Sequence, residues 1–230
     1  MPIVERVETG IPGFDKLIEG GLVKGSTNLV AGNAGTGKTL LCMQYLWNGL
    51  LKGENGVYVT LEQRPEDILA DVSRFGWDFS KYIAAGKFKL ESLIASDITT
   101  VTTKIVENVK KIGAKRFALD SLTIATMGWR ESPDEAFKLR SKSFDMLNTL
   151  KSLGVTSMII SEVERAEKQS LSRFGFEEFV VDSVLLLNYM TVGGASRTMQ
   201  ILKMRRTDHG KKIYPFDITQ QGIMIKSLMI

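Results

Sequence analysis

The octapeptide GNAGTGKT at residues 32–39 constrains this chain more than any other stretch. It fits G-x-x-x-x-G-K-[ST] at every fixed position. Before it stands the apolar run STNLVAG (26–32), and from its end runs KTLLCMQYLWNGLLKG (38–53), apolar on nearly every side. A strand, a glycine-rich turn and a buried helix in that order is the setting in which this pattern cradles phosphate. Gly32, Gly35 and Gly37 let the backbone through Asn33, Ala34 and Thr36 fold tightly, with N–H groups aimed inward at phosphate oxygens. The helix beginning near Lys38 adds its partially positive end, and Leu40 belongs to its first turn. Lys38 is placed to reach the β- and γ-phosphates of a nucleotide, and the Thr39 hydroxyl to join a Mg²⁺ shell.

The rest of the chain alternates strand and helix. GVYVTLE (56–62) reads as a strand and RPEDILADVSRFG (64–76) as a helix, with Pro65 in its first turn and acids after it. KFKLES (87–92) reads as a short strand. Val101, Ile105, Val109 and Ile112 recur at helical spacing before Gly113. KRFALDS (115–121) and VTSMIIS (155–161) read as strands around a helix at 132–154, with Ser132 as N-cap and Phe137, Phe144, Leu147 and Leu150 on one side. The polar stretch 162–178 reads as a surface loop. SVLLLNYM and SRTMQILKM then flank TVGGA, a hairpin turning at Gly193-Gly194, and KIYPFDI and GIMIKSL close the chain as strands. The fold class is therefore α/β: a mostly parallel sheet flanked by helices that gains C-terminal antiparallel strands. One domain over 1–230 is expected, divided into an N-terminal lead-in (1–25), a nucleotide-binding βα core (26–161) and a loop with C-terminal strands (162–230).

Two carboxylates fall at strand ends. Asp120 ends the apolar run in FALDS (117–121), where it either holds water around Mg²⁺ or merely caps the next turn. Glu62 follows VTL, where it either polarises water against the γ-phosphate or starts the acidic first turn of the next helix. Gln63 beside it can position a water but cannot take its proton.

With these elements placed, the chain resembles the KaiC family of RecA-like ATPases. The resemblance is carried in family order by TGIPGFDKLIEGG (9–21), GNAGTGKT, YVTLEQRPEDI (58–68), RFGWD (74–78), ALDSLT (118–123), RFGFEEFVVD (173–182) and LKMRRTDHGKKIYPFDIT (202–219). It implies a RecA-type core, ATP and Mg²⁺ as ligands, and a homo-oligomeric, hexameric ring with ATP between neighbours. It implies Glu62 as the catalytic carboxylate, although the family's Glu-Glu pair is Glu62-Gln63 here, a departure expected to slow turnover. Lys203 and Arg205 match the family's K-x-R that reaches the neighbouring subunit's phosphates, and His209 matches its nucleotide-side histidine. A cation lent in this way stabilises charge spreading over the equatorial oxygens. Glu178 and Phe179 stand where the clock protein phosphorylates itself, so autokinase activity is not expected.

Composition narrows the classes further. A net charge of +4 permits an anionic partner without demanding one. No apolar run reaches the roughly 18 residues that a membrane span needs, no secretory leader is recognisable, and Cys42 is alone, so a cytoplasmic setting is expected. An ATP-hydrolysing, regulatory ring with an unknown protein partner is the leading reading. A RadA/RecA-like DNA-binding ATPase is less favoured, because the loop with Arg165, Lys168 and Arg173 also carries Glu164 and Glu167. A nucleotide-gated scaffold with negligible turnover is the third reading, suggested by Gln63.

Overall fold

The structure is a computed structural model that describes residues 3–94, 97–126, 133–163, 177–190 and 196–226. The lead-in forms a two-stranded antiparallel ribbon, β1 (Arg6–Val7) with β2 (Leu22–Val23), around a 3₁₀ turn at Asp15–Ile18. Ile11, Phe14 and Ile18 from this segment are buried, which ties it to the main core.

The main elements follow in order: β3 (Thr27–Gly32), α1 (Lys38–Leu51), β4 (Gly56–Thr60), α2 (Pro65–Ser73), α3 (Ser80–Ala84), β5 (Phe88–Ser92), α4 (Ile98–Ile112), β6 (Arg116–Asp120), α5 (Leu122–Ala125), α6 (Pro133–Ser152), β7 (Thr156–Glu162), α7 (Glu177–Val180), β8 (Ser183–Met190), β9 (Ser196–Met204), β10 (Ile213–Thr219) and β11 (Gly222–Ile225). One nine-stranded sheet carries them in the order β11-β10-β9-β8-β3-β7-β6-β4-β5. The six strands from β8 to β5 run parallel, and β9, β10 and β11 add antiparallel at the other edge.

Both sheet faces are covered, as parallel pairing requires. Leu29, Ala31, Val57, Val59, Phe117 and Leu119 point to the layer made by α4 and α6. Their alternates Val30, Tyr58 and Ala118 point to the layer made by α1 and α2. The two-residue period of the strands thus feeds two cores from one sheet.

The helix ends follow local chemistry. The Asp97 carboxylate accepts from the amides of Thr99 and Thr100 and so caps α4, whose other end is Gly113 in the left-handed region. Pro65 opens α2, with Glu66 and Asp67 behind it.

Three sequence expectations change. The strand at 56–62 stops at Thr60, because the Thr60 hydroxyl accepts from the amides of Glu62 and Gln63 and turns the chain outward. Phe137 and Phe144 are 74% and 47% exposed, and α6 instead buries Leu139, Ser143, Met146, Leu147 and Leu150. Glu162 is the last residue of β7, and Glu177 is buried in α7, so 162–178 is not all surface loop. Ser132, the turn at 191–195 and residues 164–176 lie outside the described residues; β8 and β9 do pair antiparallel up to Met190 opposite Ser196.

One buried cation holds the lead-in, α1 and β6 together. Arg116 is 1% exposed; its guanidinium donates to Glu54 at 2.5 Å, to the Glu8 carbonyl at 2.9 Å and to the Tyr45 carbonyl at 2.8 Å. It also lies 4.6 Å from the Tyr45 ring centre. Arg116→Ala empties this nest and strands the carbonyls that it satisfies. The expected loss is about 3–5 kcal/mol of unfolding free energy, read as a lowered urea midpoint.

Candidate functional site

Four adjacent strands, β3, β7, β6 and β4, end on one side of the sheet, and each delivers polar groups there. β3 runs into the 32–39 loop. A Cβ at Gly32 would stand 2.4 Å from the Leu187 carbonyl of β8, so only glycine fits where the loop leaves the sheet. Gly37 sits at φ +102° directly before α1, a conformation that side chains resist. The Thr36 hydroxyl donates to the Asn33 carbonyl at 2.9 Å and the Lys38 ammonium donates to the same oxygen at 3.0 Å, which closes the loop on itself.

Asp120 ends β6 against this loop. Its Oδ2 accepts from the Thr39 hydroxyl at 2.7 Å and from the Tyr58 hydroxyl at 2.6 Å. Burial pushes the Tyr58 phenol well up, so Tyr58 stays a neutral donor. A hydroxyl and a carboxylate held side by side suit Mg²⁺, which takes one or two protein oxygens and fills its shell with water and phosphate. Among the described residues no group of three or more His, Cys, Asp or Glu could hold a metal by itself. Thr39 and Asp120 therefore fit an ion that arrives with a phosphate chain, whose bound charge would polarise the terminal phosphate.

Glu62 lies past β4, held by a 2.8 Å hydrogen bond from the Ser121 hydroxyl. Partial burial raises its carboxyl above the ordinary glutamate range; the Ser121 hydroxyl opposes the rise, and the charges of Asp120 and Glu162 add to it. Such a carboxylate is a better proton acceptor than a solvated one.

These groups line a cleft of about 380 Å³ that joins Ala34, Gly35, Gly37, Lys38, Thr39 and Leu40 to Glu62, Gln63, Asp120 and Glu162. Ile68, Val72 and Phe75 from α2 and its C-terminal turn, with Ile218 from β10, make an apolar end. Arg197 of β9 lines the cleft too; its guanidinium lies 4.9 Å from the Tyr189 ring, and the Tyr189 hydroxyl donates to the Gly35 carbonyl at 3.0 Å. Sequence patterning singled out none of Tyr58, Ser121, Glu162 or Arg197, because strand order alone brings Glu162 and Arg197 to the cleft and Tyr58 and Ser121 against its acids.

Lys203, Arg205 and His209 are not among the residues lining this cleft. Lys203 donates to the Glu178 carbonyl at 2.9 Å and the Val181 carbonyl at 2.7 Å, and desolvation, helped by Arg205, lowers its pKa. Arg205 is more exposed and lies 3.6 Å from Asp182, which also pairs with Lys151 at 2.8 Å. His Nδ1 of residue 209 lies 3.0 Å from the Gly210 carbonyl, and the Gly210 amide donates to the Leu17 carbonyl. The chain thus carries a phosphate-type cleft and, apart from it, a braced basic corner.

Comparison with known proteins agrees with this fold. A family described as "ATPase: KaiC" matches residues 7–229. The circadian clock oscillator protein KaiC of Parathermosynechococcus lividus is 38% identical over 234 residues, covering 96% of this chain and 42% of that protein. Its counterpart in Synechococcus elongatus is 36% identical over 235 residues, covering 96% of this chain and 44% of that one. The chain spans less than half the length of these curated relatives. A crystal structure of a KaiC-like protein from the archaeon Pyrococcus horikoshii OT3 matches with a TM-score of 0.87 at 37% identity, covering 98% of this chain and all of that one.

Proposed function

The chain belongs to the KaiC family of ATPases, with that family's RecA-like fold, and from that premise we propose that it is a slow, Mg²⁺-dependent ATPase whose active sites form between the subunits of a homo-oligomeric, hexameric ring in the cytoplasm. Lys38 grips the phosphate chain, Thr39 and Asp120 hold the ion, and Glu62 takes a proton from the attacking water. Arg205, with Lys203 and His209 beside it, serves the neighbouring subunit's nucleotide. One observation carries the reading: the pair Lys38-Thr39, Glu62 and Asp120, three places far apart in sequence, line a single cleft. The basic corner supports the shared site, because it lies outside its own chain's cleft and suits a head-to-tail contact. The ring's nucleotide state is then available to an unidentified protein partner.

Phosphate release from ATP, followed with and without Mg²⁺ and across pH, tests this reading. Release should require Mg²⁺. Glu62 must be ionised to accept the proton, and its pKa is raised, so activity falls as pH drops through that raised value. The acid limb of kcat/KM, which reports the nucleotide-free protein, should therefore lie above the ordinary glutamate value. Absence of release, with ATP bound, would leave a nucleotide-gated scaffold instead.

A further inference from the structure

Glu162 is unused by the proposed chemistry, yet it stands beside the one ammonium that grips phosphate. It ends β7 opposite Gly32 in parallel register, and its amide donates to the Thr123 hydroxyl at 2.9 Å, which pins the strand end to the turn after Asp120. Its carboxylate lies 3.9 Å from the Lys38 ammonium. The Lys38 side chain is 8% exposed and that of Glu162 41%, so the carboxylate faces the open cleft while the cation beneath it is enclosed. Its charge also reaches Glu62, whose carboxyl it helps to raise.

This placement has two electrostatic consequences. Glu162 neutralises part of the Lys38 charge in a cleft without phosphate. It is also a negative charge at the mouth through which a more negative ligand must enter, and the repulsion grows with each phosphate added. The cleft already holds Glu62, Asp71 and Asp120, so this further carboxylate is a cost that the phosphate grip does not need.

We propose that Glu162 is a specificity-determining residue that competes with the terminal phosphate for Lys38, weakening triphosphate binding more than diphosphate binding. The inference rests on the reading of the cleft as an ATP site. A charge next to Lys38 therefore sets how full the cleft is at a given ATP:ADP ratio.

Calorimetric titration of the parent and Glu162→Gln with ADP and with a non-hydrolysable ATP analogue, both with Mg²⁺, tests the inference. Removing one like charge near a partly exposed phosphate should tighten analogue binding about tenfold and ADP binding about twofold to threefold. Glu162→Ala, which removes the charge without the amide, should change both affinities in the same direction. Unchanged or weaker analogue binding in folded variants would overturn the competition, as would equal tightening for both nucleotides. Weaker binding together with a lost Mg²⁺ requirement would assign Glu162 to the ion instead and overturn it too. A parent that binds neither nucleotide would sink the ATP reading beneath it, a result distinct from the other failures.

Discussion

Arg205→Ala should lower ATP hydrolysis by about 10³-fold or more, the scale on which a cation lent to a γ-phosphate acts. The affinity for ATP should fall far less, because the phosphate loop and its lysine are intact. Arg205 is the better candidate of the two matched cations. Its guanidinium is more exposed and only loosely paired with Asp182, whereas the Lys203 ammonium already donates to two carbonyls near α7. Lys203 is better placed to brace the corner than to leave it. The decisive measurement mixes two inactive variants. Lys38→Ala keeps Arg205 but cannot grip phosphate, and Arg205→Ala keeps the grip but lacks the cation. If sites are shared between protomers, mixed rings contain interfaces with both intact parts and regain part of the parental rate. Without such recovery, Arg205 acts within its own chain or not at all, and the shared site is refuted.

The second large effect is expected at Glu62. Glu62→Gln keeps the hydrogen-bonding shape beside Ser121 but removes the proton acceptor. Loss of a positioned general base lowers kcat by about 10²–10⁴-fold, with nucleotide affinity within about twofold of the parent. The acid limb should vanish with it, since the titrating group is gone. A variant that hydrolyses ATP at the parental rate would move the base elsewhere; Gln63, its neighbour, cannot serve because an amide accepts no proton at neutral pH. Single-turnover measurements keep slow product release from hiding the loss.

The phosphate loop was legible in the sequence because all its parts are local: glycines at fixed offsets, a strand before and a helix after. Asp120 and Glu62 were legible as strand-end acids, although nothing local distinguished a catalytic carboxylate from a cap. What supports the proposed role is Ser121 against Glu62 and Thr39 against Asp120, pairings set by the adjacency of β6, β4 and β3's loop in space. Tyr58 was hidden for the same reason, since it looks like an ordinary strand aromatic until Asp120 lies next to it. The α6 face was misread because Phe137, Phe144, Leu147 and Leu150 fit a helical stripe as well as Leu139, Met146, Leu147 and Leu150 do. Packing against α4 and β7, not periodicity, chose the second set. Residues of the basic corner carry no local pattern that would reveal their bracing by Asp182 and the α7 carbonyls.

Three acids of the cleft, Glu62, Asp120 and Glu162, stand at or just past the ends of three neighbouring strands whose backbones are locked by ladder pairing, with Thr60 opposite Asp120 and Gly32 opposite Glu162. Slipping one strand by a single residue would turn its acid to the other face of the sheet and dismantle the cleft at a stroke. Exchanging one terminal letter, by contrast, leaves both apolar layers untouched. Reactivity in this scaffold can therefore drift a residue at a time under selection, while the architecture beneath it stays fixed.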